Sequence, residues 1–144
     1  MSSPNFNDQI LAIVNDESKI HELELVQMQK FVNGSCACIR NIIKPKAKII
    51  IKHVSAVLRG IKTDYKDNSK DWKKATSLFA SLSLQEGMIK SEIKFTFNNS
   101  DKHCHVQVTI NESITNSKLP LNQINDKVIE EYLRKFLLDV VQNR

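Results

Sequence analysis

Apolar residues recur at roughly helical spacing over residues 16–32, which predicts an amphipathic helix with Gly34 as its C-terminal cap. The same region carries a competing signal. Residues 21–25 alternate between polar and apolar, and Asn33 followed by Gly34 is the dipeptide typical of a tight β-hairpin turn. The helix is the favoured interpretation, but the pattern leaves both helix and hairpin open for residues 20–44.

Further helices are predicted on either side of this stretch. One begins near Asp8, and another runs from Ser35 to Lys44 and ends before Pro45, because a residue that precedes proline avoids helical backbone angles. The clearest helix in the chain spans Pro45 to Lys62, since proline is well suited to the first turn of a helix. Its apolar stripe follows the i, i+3, i+4, i+7 rule and consists of Ala47, Ile50, Ile51, Val54, Val57, Leu58 and Ile61.

A polar stretch over residues 63–68 separates that helix from the next predicted one. Ser69 is a suitable N-cap for a helix that carries Trp72 and Phe79 on its apolar side and ends at Gly87. After Gly87 the period changes from that of a helix to the alternation of a strand, which predicts two antiparallel strands joined by turn residues 98–101. The residues expected to face the core are Ile89, Ile93, Phe95 and Phe97 on the first strand, and Cys104, Val106, Val108 and Ile110 on the second.

The last periodic segment, residues 126–142, predicts a long amphipathic helix that covers the apolar face of the hairpin. The sequence therefore predicts an α+β fold, with a mostly helical N-terminal half, an antiparallel β-hairpin at about residues 88–111 and a long C-terminal amphipathic helix. A length of 144 residues predicts a single domain, residues 1–144, because a chain of this size buries roughly two-thirds of its unfolded surface around one core.

Glycine is scarce, and this excludes several classes of enzyme. The chain has three glycines, which stand apart at Gly34, Gly60 and Gly87. Loops that wrap a phosphate need clustered glycines, and the strained turn of α/β-hydrolases needs a Gly-x-Ser-x-Gly sequence, so neither can form here. No nucleophile has a base at a recognisable spacing. We therefore predict no catalytic residue and expect that the chain is not an enzyme.

The compartment is predicted from the N-terminus, the longest apolar runs and the cysteines. The N-terminal residues lack a signal-peptide pattern, and no apolar run approaches the ~18 residues of a membrane span. Three cysteines at irregular spacing indicate a reducing compartment rather than a disulfide framework. We expect an intracellular protein, cytoplasmic or nuclear, that does not associate with membranes.

Two clusters hold candidate metal ligands. They consist of Cys36 and Cys38 in the first cluster, and of His103, Cys104 and His105 in the second. Structural zinc sites generally use cysteines two to four residues apart, whereas C-x-C places the sulfurs about 200° apart on a helix, so the pair survives as a candidate only if the hairpin forms. Cys104 is expected in the core, and both histidines are expected on the opposite strand face, in solvent. No metal site and no cofactor are predicted.

Positive charge is concentrated in the middle of the chain. Residues 40–74 contain eleven lysines and arginines against three aspartates, whereas the whole chain has a net charge of +5. Such a segment is predicted to attract nucleic-acid phosphates or an acidic protein surface. The candidate binding residues are Lys46, Lys48, Lys52, Arg59, Lys62, Lys66, Lys70, Lys73 and Lys74. The competing interpretation is that these side chains form the solvated faces of ordinary amphipathic elements.

The C-terminal helix carries more apolar surface than one stripe needs. The excess predicts docking on another chain through Tyr132, Phe136, Leu138 and Val141, unless the helix lies at the centre of its own domain. The sequence thus favours a small non-enzymatic interaction module, that is, an adaptor or a subunit of a larger assembly. We expect a protein partner, and a homo-oligomer is also compatible with the pattern. The alternative is a nucleic-acid-binding protein that uses the basic segment 44–74 for phosphate-backbone contacts.

Overall fold

The computed structural model describes residues 6–72 and 77–143, and these form an α+β fold. Helix α1 spans Phe6–Cys38 and is followed along the chain by a π-helical segment, Ile39–Ile43, and by helix α2, Lys44–Val57. The next elements are the strands β1 Ile61–Asp67, β2 Ser77–Glu86, β3 Ile89–Asn98, β4 His103–Ile110 and β5 Ser113–Pro120, and then helix α3, Asp126–Gln142. Short 3₁₀ turns at Ser69–Asp71 and Leu121–Gln123 precede β2 and α3.

The chain divides into two compact units, residues 1–30 and residues 31–144. The described part of the first unit is helical throughout, and it contains no second described element against which that helix packs. The described chain contains no helix that combines the length and the apolar content needed to cross a membrane. The large apolar side chains recorded as exposed in the first unit are Ile10, Leu11, Ile13, Leu23, Leu25, Val26 and Met28.

The second unit is built on an antiparallel sheet whose five strands lie in chain order, β1 to β5. Each strand pairs with its neighbours in the sequence because the connections between most strands are tight turns. In the turn between β2 and β3, Gly87 has a φ of 61°, a left-handed conformation that costs glycine nothing. Asn111 adopts the same conformation, with a φ of 56°, between β4 and β5.

One face of the sheet carries the core of the second unit. The side chains on this face come from alternate residues of the three central strands, and the residues are Leu78, Ala80, Leu82, Leu84, Ile93, Phe95, Phe97, Cys104 and Val106. The buried residues of the helical elements complete the same cluster, and they include Ile39, Ile43, Ala47, Val54, Ile129, Leu133 and Phe136. The other face of the sheet is mainly polar, as the alternation in β3 predicts.

Pro45 lies within a helical stretch of chain, so the predicted helix that ends before it is wrong. Proline has no N–H, and its ring crowds the carbonyl four residues earlier, which ordinarily interrupts an α-helix. The π-helical segment just before it changes the bonding pattern, because the Lys44 N–H bonds to the Ile39 carbonyl five residues back. Pro45 consequently stands in the first turn of α2, a position where proline is common.

Gly34 lies inside α1, so both the predicted helix cap and the competing Asn33-Gly34 hairpin are wrong. Glycine suits this helical position because a larger side chain would have too little space. A Cβ atom at residue 34 would lie 2.9 Å from Cδ2 of Leu121, in the turn that leads to α3. The neighbouring residues Phe31 and Ser35 are buried, and close approach at Gly34 is part of the same packing.

The prediction for residues 45–87 is correct in α2 and wrong beyond it. The predicted helix over residues 45–62 is too long, because Gly60 adopts a φ of 86° and β1 begins at Ile61. The predicted helix from Ser69 to Gly87 is also wrong. A 3₁₀ turn follows Asn68, and residues 77–86 form β2. Trp72 and Phe79 therefore share no helical stripe.

The prediction for residues 88–142 is confirmed in part, and Ile89, which was expected to face the core, is 52% exposed. The predicted hairpin corresponds to β3 and β4, which pair antiparallel, with Phe95 opposite Val106. The predicted C-terminal helix matches α3, residues 126–142. The correction concerns the sheet, which has five strands rather than two, because β1, β2 and β5 were missing from the prediction.

Candidate interaction surfaces

The first candidate surface is the helical segment of residues 8–30. The exposed fraction is 59% for Leu11, 62% for Leu23 and 50% for Val26. By the helical period of about 100° per residue, Ile10 and Met28 point to one side of the helix, and Leu11 and Val26 point to an adjacent side. The apolar surface of this segment is thus broader than the single stripe of an ordinary amphipathic helix. Residues 1–30 hold two lysines and five acidic residues, so this apolar segment is also acidic, with a net charge of −3.

The second candidate surface is the solvent face of α2. Ile49 and Val57 are 56% and 74% exposed, and Lys52 lies between them in the sequence and is exposed as well. Lys48 is exposed one turn before Lys52. Residues 44–57 contain four lysines and no acidic residue. We call Lys48, Ile49 and Lys52 the α2 face, because these three exposed residues lie within about 100° of one another around the helix, whereas Val57 points to another side.

A row of cations runs along the edge strand β1. Arg40 Nη2 donates to the Ser69 carbonyl at 3.0 Å, and Lys48 Nζ lies 5.5 Å from the centre of the Tyr65 ring. Between them, Lys44 interacts electrostatically with Asp67. This order follows from geometry, because four helical residues advance about 6 Å and two strand residues advance about 6.7 Å. Successive cations of the row Arg40, Lys44 and Lys48 therefore lie beside alternate residues at β1, which are Ser69, Asp67 and Tyr65.

The surroundings of Asp67 and Tyr65 at the β1 edge shift the pKa values of both side chains. Asp67 Oδ1 accepts hydrogen bonds from the Ser69 N–H at 3.0 Å and from the Ser69 hydroxyl at 2.7 Å. Partial burial raises the pKa of Asp67, but the hydrogen bonds from Ser69 and the charge of Lys44 outweigh it, so the pKa lies below its usual value. Burial, together with the nearby Asp67 carboxylate, raises the pKa of Tyr65 far above its usual value. The Tyr65 hydroxyl is buried and has no hydrogen-bond partner within the described residues.

Lys46 is a sequence-predicted binding residue that the fold uses for itself. Its Nζ lies 3.2 Å from Glu130 Oε1 and 3.6 Å from Asp126 Oδ1, both in the first turns of α3. The Lys46 side chain is 18% exposed, so little of it faces solvent. Because Lys46 joins α2 to α3, it is not available to hold a phosphate without breaking this contact.

The other predicted basic residues lie on separate surfaces. Lys62 and Lys66 alternate with the core-side residues of β1 and are exposed on the other face of the sheet, where Lys66 Nζ lies 3.5 Å from Asp64 Oδ2. Arg59 is exposed in the turn between α2 and β1, and Lys70 is exposed in the 3₁₀ turn after β1. Lys73 and Lys74 lie outside the described residues. The structure therefore does not gather the predicted basic residues on one helix face.

The predicted docking residues of α3 fall into two groups. Phe136 is 1% exposed in the core, and Tyr132 is half-buried with its ring edge-on to Phe95 at 6.3 Å between centroids. Leu138 and Val141 are 54% and 42% exposed. The excess apolar surface of α3 is thus used mostly inside its own unit, and two exposed side chains remain on the solvent side.

A groove of about 460 Å³ lies between α3 and β5. Its apolar lining comes from Val108, Ile110 and Phe136, and the hydroxyls of β5 add a polar wall. It exists because β5 is the edge strand and is exposed from Ser113 to Lys118, on both of its faces. The volume is within the range of small-ligand pockets, roughly 300–1,000 Å³. Tyr132 also lines the groove, where its hydroxyl lies 3.2 Å from Ser117 Oγ.

The cysteines are free thiols, and two of them are buried. Cys104 is fully buried, and burial raises its pKa to about 12, with a smaller contribution from nearby Cys38. Cys36 is buried, and its Sγ lies 3.7 Å from the Ser69 carbonyl, to which it donates. Burial also raises the pKa of Cys38, which is half-buried. At neutral pH the thiols of Cys38 and Cys104 are protonated and so are poor nucleophiles.

The two histidines of β4 lie on the polar face of the sheet and share an aspartate. His105 Nε2 lies 2.5 Å from Asp101 Oδ2, and the His103 N–H donates to Asp101 Oδ1 at 3.0 Å. Desolvation raises the pKa of Asp101, but the hydrogen bonds from His105 and His103 outweigh it and hold the pKa below its usual value. The sequence offered Asp101 only as a turn residue. No set of three or more His, Cys, Asp or Glu side chains suited to a metal ion occurs in the part of the chain that the structure describes.

A comparison of the chain with protein-family models, with curated proteins and with solved structures finds no match. A functional assignment therefore has to be argued from the surfaces themselves. Of these, the acidic apolar segment 8–30 and the basic α2 face are the two that combine exposed apolar side chains with a clear net charge.

Proposed function

We propose that this chain is a non-enzymatic interaction module, an adaptor or a subunit of a larger intracellular assembly, and that it docks through residues 8–30. The observation that carries the proposal is the distribution of exposed apolar side chains. Of the fourteen large apolar residues recorded as exposed in the described chain, seven lie within residues 8–30. Exposed apolar surface marks interaction sites in proteins, and the seven side chains lie in two groups on one helix, residues 10–13 and 23–28.

Apolar burial on this segment supplies part of the free energy that a stable complex needs. Complete burial of one Leu, Ile or Val side chain is worth about 1.5–3 kcal/mol, and burial of half of each of seven side chains gives a gross contribution of about 5–10 kcal/mol. Association costs at least about 4 kcal/mol of this through lost freedom of motion, so charge complementarity has to add to it. The net charge of −3 on residues 1–30 favours a partner with a basic docking surface.

We place the docking element on residues 8–30 and not on α3, where the sequence pattern predicted it, for a structural reason. The buried side chains of α3, among them Ile129, Leu133 and Phe136, belong to the core of residues 31–144. A partner that took hold of these residues would have to unfold that core. Residues 8–30 present their apolar side chains without such a cost.

The test compares the wild-type chain with a variant that carries Leu11→Gln, Leu23→Gln and Val26→Gln, since glutamine keeps helix propensity while removing apolar surface. Each protein is expressed at its natural level in the source cell, and its native mass is measured in the extract by sizing chromatography. We expect the wild type to elute in an assembly larger than one chain and the variant to elute as a single chain. A matched control is Met88→Gln, at a residue that is 98% exposed in the β2–β3 turn.

Two results would contradict the proposal. One is a wild-type chain that elutes as a single chain in the extract. The other is an assembly that the triple variant retains in full, because the segment would then make no contribution to it.

A second candidate function, nucleic-acid binding, is favoured by the row of Arg40, Lys44 and Lys48 along β1. The chain has seventeen lysines and four arginines, which favours contacts to the phosphate backbone over the reading of bases. We expect any such binding to weaken steeply with salt and to be lost in the variant Lys44→Glu with Lys48→Glu. Lys118→Glu on β5 is the control for reversal of a lysine that lies away from this row. Equal affinity of the double variant and the wild type for labelled single- and double-stranded RNA and DNA would contradict this function.

A further inference from the structure

We propose that the partner of residues 8–30 is a second copy of this chain, whose α2 face receives the segment. This inference rests on the proposed function and identifies the partner. Its starting point is that one chain carries two exposed surfaces of complementary chemistry, one acidic and apolar and the other basic and apolar.

Charge decides which surfaces pair. Residues 1–30 have a net charge of −3, whereas residues 31–144 hold nineteen lysines and arginines against eleven acidic residues, a net charge of +8. Two copies of the acidic segment repel each other, which disfavours a homodimer formed by pairing segment with segment. The acidic segment of one copy and the basic unit of another attract each other, and the attraction steers their encounter.

The local patterns of the two surfaces also match. In the segment, exposed Glu22 lies one turn before the exposed Leu25 and Val26. On the α2 face, the exposed Lys52 lies about one turn after the exposed Ile49, and Lys48 lies one turn before Lys52. Each helix therefore presents apolar surface flanked by charge, and the flanking charges have opposite signs.

Symmetry favours a second copy over an unrelated partner. If the segment of each chain binds the α2 face of the other, the same contact forms twice about a two-fold axis and the assembly closes as a dimer. Both exposed surfaces are then covered in both chains. A different protein that bound only the segment would leave the α2 face exposed.

The experiment is a charge-swap analysis of the purified full chain by sedimentation equilibrium. One variant reverses the segment with Glu22→Lys and Glu24→Lys, and a second reverses the α2 face with Lys48→Glu and Lys52→Glu. We expect a dimer for the wild type and a dimer dissociation constant at least tenfold higher for each reversal, as several exposed charge pairs become repulsive. The chain with all four substitutions restores the opposite signs, and we expect its dissociation constant to return to within about threefold of the wild-type value.

The rescue separates a real contact from general damage, because a destabilised variant is not repaired by further substitutions elsewhere. The wild-type dimer is also expected to weaken between ~0.1 M and ~1 M ionic strength, as the screening length falls from ~10 Å to ~3 Å. Glu112→Lys in the turn after β4 is the control for a change of net charge alone. Thr115→Tyr, which fills the groove between α3 and β5, is the control for the competing receiving surface.

Four results would overturn the inference. A purified wild type that stays monomeric at all concentrations shows that no second copy binds. Loss of the dimer without rescue in the fourfold variant rejects the charge pairing, and dissociation by Thr115→Tyr moves the contact from α2 to the groove. A monomer that binds a labelled single-stranded RNA through Lys48 and Lys52 assigns the α2 face to nucleic acid.

These outcomes remain distinct from failure of the proposed function. If the purified chain is monomeric while the extract contains an assembly that requires Leu11, Leu23 and Val26, the partner is another protein and the interaction module stands. If the extract also shows a single chain, both proposals fail.

Discussion

Phe136 and Leu138 lie two residues apart in α3, the first in the core of residues 31–144 and the second on its surface. The Phe136 side chain is 1% exposed, whereas Leu138, on the solvent side of the same helix, is 54% exposed. The sequence pattern placed both residues in a docking surface. The substitution Phe136→Ala therefore tests which of the two roles the residue has, and Leu138→Ala is the matched control.

The expected magnitude follows from burial. Truncation of a fully buried phenylalanine to alanine costs about 3–5 kcal/mol, the sum of lost transfer energy and the energy of the cavity. Phe136 also lines the groove between α3 and β5, so the void opens to solvent and water can enter it. We therefore expect the lower end of that range, about 3 kcal/mol. For Leu138→Ala, with most of the side chain already in water, we expect a change within about 0.5 kcal/mol.

The assay is urea-induced unfolding of the two variants and the wild type, followed by circular dichroism with sedimentation as a check on association. The free energy of unfolding is compared at equal protein concentration, since a dimer gains stability with concentration. A loss below about 1 kcal/mol for Phe136→Ala would refute the burial argument. A larger loss for Leu138→Ala than for Phe136→Ala would show that α3 faces the opposite way.

Three further predictions concern the interior and its charges. We expect Gly34→Ala to stabilise the Leu121→Ala variant by about 1 kcal/mol, because alanine favours a helix more than glycine does. In the wild-type background the gain should be smaller, because the new Cβ lies 2.9 Å from Leu121. Equal effects in both backgrounds, measured by urea unfolding, would contradict this. With its pKa raised to about 12 by burial, Cys104 should resist iodoacetamide in the native state and react once unfolded, as mass spectrometry can show. For Asp67, whose pKa is lowered, the stability that it contributes is complete above its unfolded pKa of 3.8 and is lost as the pH falls through the folded pKa. Asp67→Asn should accordingly make the free energy of unfolding less dependent on pH in acid, and an unchanged pH dependence would count against the Ser69 hydrogen bonds as the cause.

The elements that the sequence predicted well are those with one buried and one solvated face. In β3, Ile93, Phe95 and Phe97 are buried and alternate with half-buried polar residues, so the period is visible in the sequence. α3 shows the corresponding helical pattern. In both cases the residue pattern directly records which side contacts the core.

β2 was mistaken for a helix because the aromatic residue Phe79 interrupts the polar side of a strand that otherwise alternates. Leu78 and Leu82 are buried toward the core, but Phe79 is half-buried on the other face, where the Lys94 ammonium lies 4.8 Å from its ring centre. An aromatic residue on the polar face destroys the alternation.

The charged surfaces were only partly predictable, because charge along a sequence does not specify pairing in space. The concentration of lysine before Gly60 is plain from the sequence. That Lys46 bonds to Glu130, 84 residues away, is visible only in the fold. The apolar residues of positions 8–30 were recognised as helical. Their exposure reflects the absence of a covering element among the described residues of that unit, which no local sequence pattern reports.

β5 has a dynamic consequence. Residues 113–118 are all exposed, so the strand is held mainly by its ladder of hydrogen bonds to β4 and by little apolar burial. Segments with few buried contacts open at much lower free energy than the core. At its C-terminal end the strand leads through Leu121–Gln123 into α3, whose residues Leu133 and Phe136 are buried. The strand can therefore peel from the Asn111 turn while α3 stays seated, and its amide hydrogens should exchange with solvent before those of β2 and β3.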